Sequence, residues 1–220
     1  MPQMVLYAHP FASYCWKVLI ALYENGTAFT YRRLGSEDPS AGAELATLWP
    51  IGRFPVLGDK DRAVIESSII IEYLDRHYPG PRPLIPCDPD QALEARFMDR
   101  IFDNEVMTPM QSIVGNSLRP AEARDPYGVD KAKVALDKIY RWLDERLAGK
   151  DWAIGDVFTL GDCAAAPSLF YADWVHEIDA GFKHLRAYRA RLLSRPAIAR
   201  VVDEARPYRP LFPLGAPDRD

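Results

Sequence analysis

Residues 52–75 read GRFPVLGDKDRAVIESSIIIEYLD, and this stretch decides the fold. Pro55 stands between apolar residues. It has no backbone N–H to give to a ladder, so it marks a strand end, an edge or a bend. Two short strand-like runs follow, near 55–57 and 63–65, with the turn GDKD between them. Glu66 and Ser67 then open a helical pattern that continues to about residue 77. The first N–H groups of a helix lack intrahelical partners, and with the macrodipole they favour an anion. A proline-marked strand end beside an acid–hydroxyl pair at a helix start reads as a receptor for a peptide-like ligand carrying a carboxylate.

On the N-terminal side, residues 4–7 (MVLY) read as a short buried strand. Residues 13–23 have helical spacing, with Trp16, Leu19, Ile20 and Tyr23 on one face and Asn25-Gly26 as the stop. Residues 28–34 (AFTYRRL) alternate as a strand does, and 41–48 fit a short helix. The order strand, helix, strand, helix, hairpin, helix implies a mixed four-stranded sheet with helices on both faces. On the C-terminal side, YPGPRPLIPCDPD places five prolines in thirteen residues, which makes a short stiff linker. Every segment beyond it is helical in pattern, over 90–115, 127–148, 160–175, 182–194 and 196–205, followed by a proline-rich tail expected to lie extended on the surface. The expected organisation is an α/β domain over 1–79, a linker over 80–89 and an all-α domain over 90–220.

Composition narrows the function. Hydrophobic residues make up 48% and charged residues 26%, the balance of an ordinary globular protein. A net charge of −4 argues against a partner such as nucleic acid or an anionic membrane. The N-terminus lacks the pattern of a signal peptide, and no apolar run reaches the roughly 18 residues of a membrane span. Three widely spaced cysteines without a CxxC fit a reduced, cytoplasmic protein, and neither they nor the four histidines have metal-ligand spacing.

Four segments together carry a family resemblance: LYAHPFASYCWKVLIALYENG, WPIGRFPVL, ESSIIIEYLD and FTLGDCAAAPSL. On them, in this order and over nearly its whole length, the chain resembles the cytosolic glutathione transferases. The resemblance implies an α/β N-terminal domain that is thioredoxin-like, plus an all-α C-terminal helical domain. It also implies a cis Pro55, with the backbone of Phe54 pairing with the cysteinyl part of glutathione by strand addition. Ser67 then meets the γ-glutamyl carboxylate at the helix start, Glu66 holds the ligand's ammonium group, and Arg53 reaches its glycyl end. The alternative for Ser67 is an ordinary helix N-cap.

A glutathione thiol has a reference pKa of about 8.5, so an enzyme of this kind must favour the thiolate. A hydroxyl donor and the N-terminus of the first helix do this together in the serine-type classes. Here the usual serine position falls on Ala12. Its neighbour Ser13 is the first candidate, with Tyr7 and Tyr14 as alternatives. Cys15 reads more simply as a small buried residue than as a redox thiol. The resemblance places a small hydrophobic electrophile between the domains, with Phe102, Met107, Met110, Trp174 and the tail around Phe212 as candidates that could equally be core. Thr159 and Asp162 read as a capping box with Phe158 as its staple, a folding device. The implied activity is conjugation, as in detoxification, or an isomerase, peroxidase or ether-cleaving reaction of the same thiolate, in a homodimer and with no metal. The competing reading is a non-catalytic glutathione-binding or regulatory protein, which Ala12 favours.

Overall fold

Strand β1 (Met4–Ala8) divides its side chains between two cores, as the period of a strand requires. Met4, Leu6 and Ala8 enter the large core, and Tyr7 enters a smaller one. The structure, a computed structural model, describes residues 4–36 and 38–220. β1 pairs in parallel with β2 (Thr30–Arg33) and antiparallel with β3 (Val56–Asp59). β3 pairs in turn with β4 (Arg62–Ile65), giving the order β2-β1-β3-β4. Helices α1 (Ser13–Glu24) and α3 (Ser67–His77) cover the face of Leu6 and Leu57. Helix α2 (Pro39–Leu48) covers Tyr7 and Val56 with Ala41 and Leu45. This is the mixed sheet of a thioredoxin-like half.

α1 ends as its sequence predicts. Gly26 has φ 59°, and the Thr27 N–H reaches back to the Leu22 carbonyl at 2.9 Å, which closes the last turn. The linker is pinned on both sides. Asn25 exchanges two hydrogen bonds with the Arg82 backbone, Asp75 accepts from the Leu84 N–H at 2.7 Å, and the Leu84 carbonyl accepts from Leu160 at 2.9 Å.

The helix expected over 90–115 is not one regular helix. α4 (Pro89–Ile101) passes into a π-helical turn over Phe102–Met107 and then into α5 (Thr108–Ser117). Pro109 gives the reason: its ring clashes with the carbonyl four residues earlier and it has no N–H to offer. The wider turn, in which the Thr108 N–H bonds the Asp103 carbonyl, absorbs this. Helices α6 (Pro126–Arg146), α7 (Leu160–Val175), α8 (Lys183–Ser194) and α9 (Pro196–Ala205) complete the all-α half. The tail departs from expectation at its start, where Arg206–Leu211 form a 3₁₀ helix.

α7 is the axle of this half, with 15 of its 16 residues buried. Gly161 allows the closest approach: a Cβ there would lie 3.0 Å from that of Met98 on α4. Thr159 and Asp162 form the capping box, and Asp162 accepts from the Thr159 N–H, the Ala153 N–H and the Tyr188 hydroxyl at 2.7–2.8 Å. Asp162→Ala strands three buried donors and is expected to cost about 3 kcal/mol or more, against about 1 kcal/mol for loss of the Thr159 cap alone. Urea unfolding of Asp162→Ala and Thr159→Ala compares the two. Equal losses would mean that Asp162 does no more than cap.

Candidate active site

The segment before β3 and the start of α3 meet across a polar cavity of about 170 Å³. The Phe54–Pro55 peptide bond is cis, and Arg53, Phe54, Pro55, Glu66 and Ser67 all line this space. Tyr14 and Trp49 join them, with Arg100, Asp103 and Asn104 from the helical half. Glu66 is the N-cap of α3 and holds φ 68° and ψ 118°, a left-handed conformation that costs a non-glycine residue about 1–3 kcal/mol. Ser67 is therefore the first helical residue, and the N-cap reading of Ser67 is corrected. The first helical bond runs from the Ile70 N–H to the Glu66 carbonyl, so the N–H groups of Ser67, Ser68 and Ile69 have no intrahelical acceptor.

A second cavity, of about 430 Å³, adjoins the first. Phe11, Ala12 and Ser13 form its floor, α5 supplies Met110, Gln111, Val114 and Gly115, and α7 supplies Tyr171. Leu211, Phe212 and Pro213 of the tail close one side, and among the described residues no charged side chain is in the lining. The Tyr171 hydroxyl donates to the Phe11 carbonyl at 2.9 Å, so that wall is fixed. Tyr14 and Phe54 line both cavities.

Of the side chains expected to hold a second substrate, Met110 and Phe212 of the tail reach this lining. Phe102 and Met107 are wholly buried, and Phe102 stacks on Tyr188 at 6.4 Å. Trp174 lies behind the wall, edge-on to Phe212 at 5.1 Å. These three are core: the π-helical turn buries Phe102 and Met107 while Asp103 and Asn104 of the same turn line the polar cavity, and Trp174 is buried on α7.

The candidate hydroxyls differ in position. Tyr7 points to the other face of the sheet, where its hydroxyl donates to Glu44 at 2.9 Å; burial and this carboxylate raise its pKa. It lines neither cavity, which corrects its place among the candidates. Tyr14 stands between the cavities, and its hydroxyl is pushed up to about 12 by burial and then by Asp103. Ser13 is the first residue of α1 and faces the apolar cavity. Ala12, the N-cap, has no side chain to cap with. The His9 carbonyl accepts from its N–H, and His9 Nδ1 accepts from the Phe11 N–H, each at 3.1 Å. Cys15 is fully buried, and burial pushes its thiol up to about 12.

Sequence reasoning missed an ion cluster beneath the polar cavity. Lys17 is fully buried, with Nζ 2.7 Å from Asp99 Oδ1, 2.7 Å from Asp103 Oδ2 and 3.0 Å from Ser68 Oγ. Arg100 also reaches Asp99, Asp103 and Ser68. The signal was present: Lys17 is the single charge in the apolar run SYCWKVLIALY.

Comparison with known proteins agrees with this architecture. A family model described as "Glutathione S-transferase, N-terminal domain" matches residues 6–82, and one described as "Glutathione S-transferase, C-terminal domain" matches residues 122–191. The stringent starvation protein A homolog of Coxiella burnetii is 28% identical over 204 residues, 92% of each chain. Glutathione S-transferase GstB of Escherichia coli K12 is 28% identical over 191 residues, 84% of this chain and 91% of that one. Among solved structures, a glutathione S-transferase of Methylobacterium radiotolerans in complex with glutathione sulfonate superposes with a TM-score of 0.78 at 28% identity, covering 90% of this chain and 94% of that one. One from Methylobacillus flagellatus with glutathione bound gives 0.80 at 23% identity, covering 90% and 98%, which speaks to the fold alone.

Tyr7→Phe is expected to leave both cavities unchanged and to lower stability by about 1 kcal/mol, the typical net worth of one hydrogen bond. Chemical denaturation measures the loss. Altered ligand binding in this variant would return Tyr7 to the site.

Proposed function

Because the chain belongs to the glutathione S-transferase family, we propose that it binds glutathione in the polar cavity and directs its thiolate at a small uncharged electrophile in the apolar one. One observation carries this reading: a polar cavity at a helix N-terminus adjoins an apolar cavity, with Tyr14 and Phe54 in the lining of both. The γ-glutamyl carboxylate meets the free N–H groups of α3, its ammonium group meets Glu66 and Asp103, and Arg53 takes the glycyl carboxylate. The Phe54 backbone pairs with the cysteinyl residue, which aims the sulfur at the shared wall. There the N-terminus of α1 and the Ser13 hydroxyl favour the thiolate, with Tyr14 as the competing donor. Orientation and ionisation supply the rate. Conjugation is the default reaction, and the cytoplasm is the proposed location.

A second reading has its own support. Ala12 lacks the hydroxyl that the serine-type classes carry, and several relatives bear the name stringent starvation protein A, which states no reaction. In that reading the chain binds glutathione without activating it. Retention on immobilised glutathione, followed by titration of thiolate absorbance, separates the two: binding without thiolate at neutral pH sinks the enzyme reading.

Ser13→Ala is expected to raise the bound thiol's pKa by one unit or more, a tenfold fall in thiolate at fixed neutral pH or about 1.4 kcal/mol, with little change in affinity. Tyr14→Phe is the control. If Tyr14→Phe shifts the thiol and Ser13→Ala does not, the roles are exchanged.

We also propose a homodimer in which the α/β half of one copy meets the helical half of the other. The exposed apolar side chains Ile51 and Ile69 on the first half, and Leu93 and Phe97 on the second, motivate it. Sedimentation at micromolar concentration is expected to give twice the 24.9 kDa chain mass. A single-chain mass would refute it.

A further inference from the structure

Lys17 is the only lysine or arginine in the buried set among the described residues. Its ammonium ion has acceptors on three elements: Ser68 on α3, Asp99 on α4 and Asp103 in the π-helical turn. It therefore spans the α/β and helical halves at a single atom. Burying a charge is costly, and a methionine of similar length would fill the same volume, so packing gives no reason for it.

Position gives one. Lys17 lies one turn after Ser13 on α1, at the spacing that puts two side chains on one helix face. Its Nζ is 5.9 Å from the centroid of the Tyr14 ring. Lys17 and Arg100 balance Asp99 and Asp103, but Arg100 is half exposed while Lys17 is not. The groups facing the cluster are Tyr14 on α1, Glu66 and Ser68 at the start of α3, Asp99 and Arg100 on α4, Asp103 in the π-helical turn and Cys163 on α7. Asp103 keeps one carboxylate oxygen, Oδ1, buried and without a hydrogen-bond partner among the described residues, so negative charge there is balanced only on its other oxygen.

We infer that Lys17 is a positioning residue of the thiol site: its buried ammonium ion ties α1, one turn after Ser13, to the helical half and cancels carboxylate charge that would otherwise lie unbalanced beside the first turn. The inference rests on the reading that this cleft binds glutathione. Without Lys17, Asp99 and Asp103 would face one cation in place of two, and the excess negative charge, in an interior that screens charge weakly, would oppose a thiolate at the start of α1.

Two substitutions in the same cluster test it, on the full chain with glutathione bound and the thiolate absorbance followed against pH. Lys17→Met leaves one excess negative charge and is expected to raise the thiol pKa, with an about threefold or larger fall in thiolate at neutral pH. Asp99→Asn leaves one excess positive charge and is expected to lower it. Both variants lose buried contacts and melt earlier, so a merely structural role moves both pKa values in one direction or neither. Opposite shifts support the role of Lys17, and parallel or absent shifts overturn it. If Lys17→Met does not fold, Asp99→Asn decides alone: a lowered thiol pKa supports the role and an unchanged or raised one overturns it. A parent chain that retains no glutathione removes the reading beneath the inference, whereas a parent that ionises the thiol with both variants unmoved removes only the role of Lys17.

Discussion

A helix buried on every side cannot be stable alone; its neighbours must be brought to it. α7 is such a helix, and the rest of the chain is arranged around that constraint. α1 from the first half and α4, α5 and α8 from the second all pack on it. Its sequence meets the demand with Gly161 where α4 comes close, with a buried run of small residues at Ala164–Ala165–Ala166, and with aromatics where α1 and the tail arrive. The two halves are thus joined through one shared core, and the cleft between them has rigid walls on both sides.

The cleft gains its chemistry from places where regular structure is interrupted. Glu66 accepts a left-handed backbone at the N-cap of α3, where it and Ser67 line the polar cavity. Pro109 forces a widened turn, and that turn delivers Asp103 and Asn104 to the same cavity from the other half. The N-cap of α1 is an alanine, so backbone N–H groups and the hydroxyl of Ser13 are what the helix start offers. Irregularities of this kind are local costs, sustained because the surrounding packing fixes them.

Much of this was legible in the sequence because it rests on short-range rules. Pro55, the turn GDKD and the helical period after Glu66 locate the hairpin and the cavity edge, and Thr159 with Asp162 gives the start of α7 without any tertiary information. What failed depended on long-range geometry. Phe102 and Met107 are large apolar residues of the helix after the linker, which fits a pocket as well as a core, and both lie buried in the π-helical turn. Tyr7 is close to the site along the chain, but strand alternation sends it to the opposite face. Lys17 was passed over because its partners, Asp99 and Asp103, lie more than eighty residues away, and no local pattern links a lysine to them.

The wall shared by the two cavities has a thermodynamic consequence. Tyr14 and Phe54 border both the polar cavity and the apolar one. A ligand that moves either ring changes the space offered to its neighbour, so the two occupancies are energetically linked. Such linkage is reciprocal: whatever factor the first ligand imposes on the second, the second imposes equally on the first. The order in which the cavities fill is therefore a matter of rate, while the coupling between them is a fixed property of two side chains.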